Sequence, residues 1–143
     1  MEHLEYARRI NAPADAVWAY VGDFGSPAIA EGFVDRVEVI GEGIGMERIF
    51  HLPERLGGGS VRERLDDHDD SLRSYAYRLT DNGPLPWTGY EGRITVTPCG
   101  PDACAVLARI QLVPVTARPE ECAAISMSNM NLFFENLEKL VRQ

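Results

Sequence analysis

Residues 119–141 read PEECAAISMSNMNLFFENLEKLV, and the spacing of their apolar members decides the architecture. Ile125, Met127, Met130, Phe133, Phe134, Leu137, Leu140 and Val141 recur at the period of an amphipathic helix. Pro119 suits a first helical turn, and Glu120 and Glu121 put negative charge where the helix dipole is positive. About 22 residues make a helix of about 33 Å. Such a helix must bury a broad apolar face, and the preceding sequence supplies a sheet to bury it against.

That preceding sequence is strand-like almost throughout. Glu5 to Ile10 reads as a first strand, and Asn11-Ala12-Pro13-Ala14-Asp15 opens a helix that runs through Trp18 to Val21. Gly22 and Gly25 punctuate its end, and Ser26-Pro27 starts a second short helix. Further strands follow at Val34–Ile40, Met46–Leu52, Val61–Leu65, Arg73–Thr80, Gly89–Thr97 and Ala105–Val113. Turn residues separate them: Gly41-Glu42-Gly43, the glycine loop Gly57-Gly58-Gly59, the acidic run Asp66 to Asp70, and Asp81-Asn82-Gly83-Pro84. Strands in series joined by short turns pair as an antiparallel meander, so the expected class is α+β. No repeat or linker interrupts the 143 residues, and one domain over 1–143 is expected.

Composition narrows the partners. The net charge is −8, which disfavours phosphate backbones and anionic membrane surfaces, so nucleic acid and membrane insertion are not expected. The acidic start Met1-Glu2-His3-Leu4-Glu5 lacks the apolar run of a secretory signal, and a cytoplasmic location is expected. Three cysteines, Cys99, Cys104 and Cys122, argue against a disulfide framework. Cys99 and Cys104 flank a turn, as reduced thiols or as a cross-hairpin disulfide. No cysteine or histidine has a partner at ligand spacing, so neither a metal nor another cofactor is expected.

Several stretches resemble a known superfamily. Ile10-Asn11-Ala12-Pro13-Ala14-Asp15-Ala16-Val17-Trp18, followed by Gly22-Asp23-Phe24, resembles the opening of Bet v 1/START-like proteins. Glu63-Arg64-Leu65, Asp69-Asp70 and Arg73 to Leu79 are similar to the bacterial polyketide cyclase/dehydrase-like branch, and plant abscisic-acid receptors share a similar arrangement. The resemblance implies a helix-grip fold: a seven-stranded curved antiparallel sheet around the last helix, two short helices after strand 1, and a cavity between. Its members bind lipids, hormones and aromatic metabolites, and some catalyse cyclisation, so the fold does not settle the function.

Strand alternation assigns the inner faces. Tyr75, Tyr77 and Leu79 share one face, as do Tyr90, Gly92, Ile94 and Val96. The tyrosines are either core rings or hydroxyl donors to a ligand. Placing Arg62 and Arg64 in solvent turns Val61, Glu63 and Leu65 inward. A carboxylate there must be paired, hydrated or protonated. Arg48, in phase with Phe50 on the preceding strand, is the expected partner. In the resembling receptors the matching positions also carry Arg and Glu, with the Glu reaching ligand through water. Three readings of the pair stay open: a structural clamp, a ligand-orienting pair, or a catalytic group, for which Glu63 and Arg48 are the candidates. His51 points the other way and reads as surface.

On the last helix, Ser128, Leu132 and Asn136 form one i, i+4 row beside Met127, Met130 and Phe133, and Asn136 is expected to donate to a ligand or to Glu63. The resemblance places Pro53 to Gly59 at a gate and Gly83-Pro84-Leu85-Pro86-Trp87 at a latch, with Trp87 capping the mouth. The receptors hold a carboxylate with a lysine where this chain has Asp35, so abscisic acid is not the expected ligand. The leading expectation is a carrier or sensor of a hydrophobic small molecule, acting as a monomer or homodimer. An aromatase/cyclase-like enzyme and a ligand-dependent protein-interaction module are the alternatives.

Overall fold

The helical period at the C-terminus forms one continuous helix, α2, over Pro119–Val141, with Pro119 in its first turn and Arg118 donating to Glu121 at 2.6 Å. Before it come β1 (Glu2–Ile10), α1 (Ala14–Val21), β2 (Arg36–Ile40), β3 (Glu47–His51), β4 (Ser60–Asp69), β5 (Ser74–Asp81), β6 (Trp87–Pro98) and β7 (Cys104–Pro114). The computed structural model describes residues 1–32 and 34–142, apart from the Leu56 side chain. Phe33, just before the predicted second strand, lies outside the described residues.

The seven strands form one antiparallel sheet in the order β1-β7-β6-β5-β4-β3-β2. Every sequence-adjacent pair from β2 to β7 is therefore a hairpin, and β1 closes on β7 through nine consecutive pairs from Glu2↔Leu112 to Ile10↔Cys104. Register shifts break the β4–β5 ladder between Arg62 and Glu63 and between Leu65 and Asp67, and the β6–β7 ladder between Thr88 and Glu91. Bulges bend a strand and increase its twist, and here they help curl the sheet. Val17 and Val21 of α1, Val96, Val106, Ala108 and Leu112 of the sheet, and Phe134 and Leu137 of α2 form the buried core.

Two expectations change. The second short helix is a single 3₁₀ turn, Ala28–Ala30. The acidic run Asp66 to Asp70 is not a turn: β4 continues to Asp69. The bulge between Leu65 and Asp67 resets the alternation, because Leu65 opposes Tyr77 while Asp67 opposes Ala76. Asp67 can then pair with Arg93 at 3.0 Å, while His68 meets the Gly22 carbonyl oxygen at 2.8 Å. The turn follows at Ser71 and Leu72, whose amides donate to Asp69, and Trp18 donates to Asp70 at 2.8 Å. This ties α1 to the β4–β5 end of the sheet.

Pro98, not Cys99, pairs with Cys104. Cys99 is thus on the opposite face of the hairpin from Cys104, and all three thiols are free. Burial pushes the Cys104 and Cys122 thiols above their usual range. No helix among the described residues is long and apolar enough to cross a membrane.

Candidate functional site

Between the concave sheet face and α2 lies a cavity of about 380 Å³, a volume suited to a small organic molecule. The sheet contributes Phe50 from β3, Val61 and Glu63 from β4, Tyr75, Tyr77 and Leu79 from β5, and Trp87, Tyr90 and Ile94 from β6. Period-two alternation puts most of these on one face. Trp87 and Tyr90 are three residues apart yet both turn inward, because the bulge after Thr88 adds a residue, with Gly89 at φ 59°. Their rings stack with centroids 5.7 Å apart. Trp87 is therefore a buried wall residue rather than a cap over the mouth, and its Nε1 has no partner among the described residues.

Arg48 and Glu63 face each other in the β3–β4 ladder. Arg48 Nε donates to Glu63 Oε1 at 2.6 Å, and Nη1 donates to the Phe24 carbonyl oxygen at 2.9 Å. The side chains are 14% and 10% exposed, so both charges are largely out of water. The guanidinium lies 3.9 Å from the centre of the Phe24 ring and 4.9 Å from that of Phe50, within cation–π range. Burial alone would lower the Arg48 pKa, but the Glu63 carboxylate, with Tyr75 and Tyr77 beside it, more than offsets this and the net direction is upward. Arg48 is a permanent cation here, closely compensated.

The three inner tyrosines are neutral donors. Tyr77 and Tyr90 share a hydrogen bond of 3.2 Å between their hydroxyls, which uses one proton and leaves the other. Burial raises the pKa of Tyr75, Tyr77 and Tyr90, and Glu63 adds to each. None serves as a base near neutral pH. A consequence is measurable. Above about pH 10 the unfolded chain releases phenol protons that the folded chain retains, so stability falls as pH rises. With three such groups the slope reaches up to about 4 kcal/mol per pH unit. Chemical denaturation across that window checks it. A flat profile, with all phenols ionising before unfolding, would contradict the burial.

The α2 wall is rotated from the expected row by one position. Ile125, Asn129, Met130 and Phe133 line the cavity. Cys122, Ser126, Met130 and Phe134 are the buried row at four-residue spacing. Ser128 is exposed and Met127 is 51% exposed, so neither reaches the cavity. Leu132 lies outside the lining, beside Gly32. Asn136 is buried, but its Nδ2 donates to the Ile29 and Glu31 carbonyl oxygens at 2.8 and 2.7 Å. It fastens the 3₁₀ turn to α2 and does not donate to Glu63. Sequence reading missed Asn129, the polar member of the Ile125–Asn129–Phe133 row, as well as Ile29 of the 3₁₀ turn and Asp23, Ser26, Val34 and Leu52, which lie outside the helices and strands.

The remaining expectations fall on the surface and the mouth. Asp35 is exposed, Arg36 turns out to Glu38 at 2.9 Å, and Val34 takes the lining position in that segment. His51 bonds Glu38 at the surface side of β3. The glycine loop has φ of 101°, 66° and 77° at Gly57, Gly58 and Gly59, and a Cβ on Gly57 or Gly59 would sit 3.7 Å from Pro84. The glycine loop therefore lies close to Pro84. Two other depressions, about 410 and 520 Å³, lie over charged and polar side chains of the sheet, such as Arg109, which pairs with Glu5 at 3.3 Å. No group of acidic, histidine or cysteine side chains among the described residues is arranged to hold a metal ion.

A family model described as polyketide cyclase/dehydrase and lipid transport matches residues 1–141. Among solved structures, the Bacillus cereus protein XoxI superposes with a TM-score of 0.87 at 22% identity, covering 100% of this chain and 97% of that one. Norcoclaurine synthase from Thalictrum flavum, bound to dopamine and hydroxybenzaldehyde, gives 0.76 at 20% identity, covering 98% and 86%. The Zhui aromatase/cyclase from a Streptomyces species gives 0.75 at 20% identity, covering 98% and 90%. These likenesses identify the helix-grip fold. No curated protein matches the chain.

Proposed function

The chain belongs to the polyketide cyclase/dehydrase and lipid transport family, and from that premise we propose that it binds a hydrophobic small molecule in the cavity, as a carrier or sensor. The observation that carries this reading is the cavity itself: about 380 Å³ with an aromatic wall of Phe50, Tyr77, Trp87, Tyr90 and Phe133. Interiors pack densely, and a largely apolar pocket of this size forfeits contacts that a ligand restores. The leftover hydroxyl proton of the Tyr77–Tyr90 pair and the Trp87 Nε1–H give a ligand oxygen donors to meet.

Leu79 lines the cavity opposite Glu63 in the β4–β5 ladder, so a larger side chain there competes with the ligand for space. Naphthyl methyl ketone is expected to bind the wild-type chain with a Kd of roughly 10–100 μM, given its size. Leu79→Trp is expected to weaken that binding at least about tenfold while leaving the melting temperature unchanged or raised. Undiminished binding to Leu79→Trp would place the ligand elsewhere and end the proposal. An aromatase/cyclase-like enzyme is the alternative that Glu63 favours, since it sets a carboxylate beside hydroxyl donors. For that reading, Glu63→Gln removes turnover and spares binding.

A further inference from the structure

Arg48 is the only cationic side chain among the described residues that line the cavity. Lys139 is the sole lysine of the chain and is exposed on α2. The charge of Arg48 is already answered by Glu63 at 2.6 Å, its Nη1 is held by the Phe24 carbonyl oxygen, and the Phe24 ring covers its face. A second carboxylate, Asp23, stands at the exposed lip of the same lining. The lining therefore carries two carboxylates and one guanidinium before any ligand arrives. The remaining polar groups of the wall are uncharged: Ser26, Asn129, the Trp87 indole, and the Tyr75, Tyr77 and Tyr90 hydroxyls, which burial keeps protonated.

We infer that Glu63 is a charge filter: it occupies Arg48 so that the cavity accepts uncharged ring compounds bearing a carbonyl or hydroxyl and rejects carboxylates of the same size. The inference rests on the cavity being the ligand site and adds the ligand's charge class. A carboxylate entering this space would have to displace Glu63 from Arg48 or sit against it in a low-dielectric pocket, and like charges so placed repel strongly. A neutral ketone makes no such demand and matches the phenolic donors. At interior packing density, about 280 Å³ of the space is fillable, which suits a skeleton of two or three fused rings.

Naphthyl methyl ketone and naphthoate are nearly isosteric and differ in charge, so they form the test. Titrations at neutral pH and low salt are expected to show wild-type protein binding the ketone at least about tenfold more tightly than the acid. Glu63→Gln keeps an oxygen for Arg48 Nε but frees the guanidinium charge, and is expected to erase or reverse that ratio. Equal wild-type affinities for the two probes would overturn the filter while leaving the cavity as a ligand site. So would a ratio unchanged in Glu63→Gln. Failure of both probes to bind the wild type would overturn the cavity reading, and the filter with it. The wild-type comparison stands without the variant, so a poorly folding Glu63→Gln does not remove the test.

Discussion

Arg48→Leu is expected to destabilise the fold by about 3–5 kcal/mol, even though leucine is the more apolar residue. The substitution strands Glu63, 7% exposed, without its 2.6 Å partner and takes a donor from the Phe24 carbonyl oxygen. A buried carboxylate left alone must be hydrated or protonated, and either costs stability. The double variant Arg48→Leu/Glu63→Leu removes both charges and is expected to recover most of the loss, because replacing a buried pair with apolar side chains is often neutral or better. Denaturant unfolding of the two single variants and the double variant forms a double-mutant cycle. A cost below about 1 kcal/mol for Arg48→Leu would mean that water in the cavity already screens the pair.

Gly92→Ala reverses the sign that propensity alone assigns. Alanine is ordinarily the more favourable residue inside a strand, by roughly 0.5–1 kcal/mol. At this position a Cβ would lie 2.6 Å from Cε1, 2.7 Å from Cζ and 2.8 Å from the hydroxyl oxygen of Tyr77, which pairs directly across from Gly92. Tyr77 has little room to yield: its ring sits among Tyr75, Tyr90 and Phe24, with centroids 5.8, 5.9 and 6.3 Å away. Overpacking of this kind costs about 1–3 kcal/mol. It also pushes the Tyr77 hydroxyl off Tyr90, so affinity for the ketone should drop about tenfold or more. A stabilised variant with unchanged affinity would show that the glycine is not what seats the ring.

The strand half of this site was readable because the side-chain period is two and the hairpins are short. Once Arg62 and Arg64 were assigned to solvent, Glu63 had to turn in, and Arg48 was in phase on the neighbouring strand. The structure places them opposite each other. Bulges defeat that reasoning. The extra residue after Thr88 brings Trp87 to the inner face, and the one between Leu65 and Asp67 lets β4 continue through a run of acids. Those acids are tolerated as strand residues because Arg93 lies within reach on the outer side, a partner that becomes visible only with the register in hand.

On α2 the ambiguity is angular. Met127, Phe133 and Phe134 are all apolar, so more than one stripe fits a helical period, and neighbours differ by only about 100°. The buried row runs through Ser126, while Met127 is exposed. Side-chain polarity alone therefore points to the wrong member. What selects the true row is the fastening of the helix at two points. Cys122 Sγ lies 3.9 Å from the Pro86 carbonyl oxygen, and Asn136 donates to the 3₁₀ turn. Both contacts join residues far apart in sequence. The glycine- and proline-rich segments were legible as such, but the closeness of Pro84 to the glycine loop was not.

The proposed occupant of the space between the curved sheet and α2 is a neutral ring compound. Intermolecular nuclear Overhauser effects from bound naphthyl methyl ketone to the side-chain methyls of Leu79, Ile94 and Met130 test this placement most directly. These three residues come from β5, β6 and α2 and line the same cavity. Contacts from the ligand's ring protons to all three are expected. Contacts confined to surface methyls such as those of Ile44 or Val115, which are 64% and 62% exposed, would contradict it.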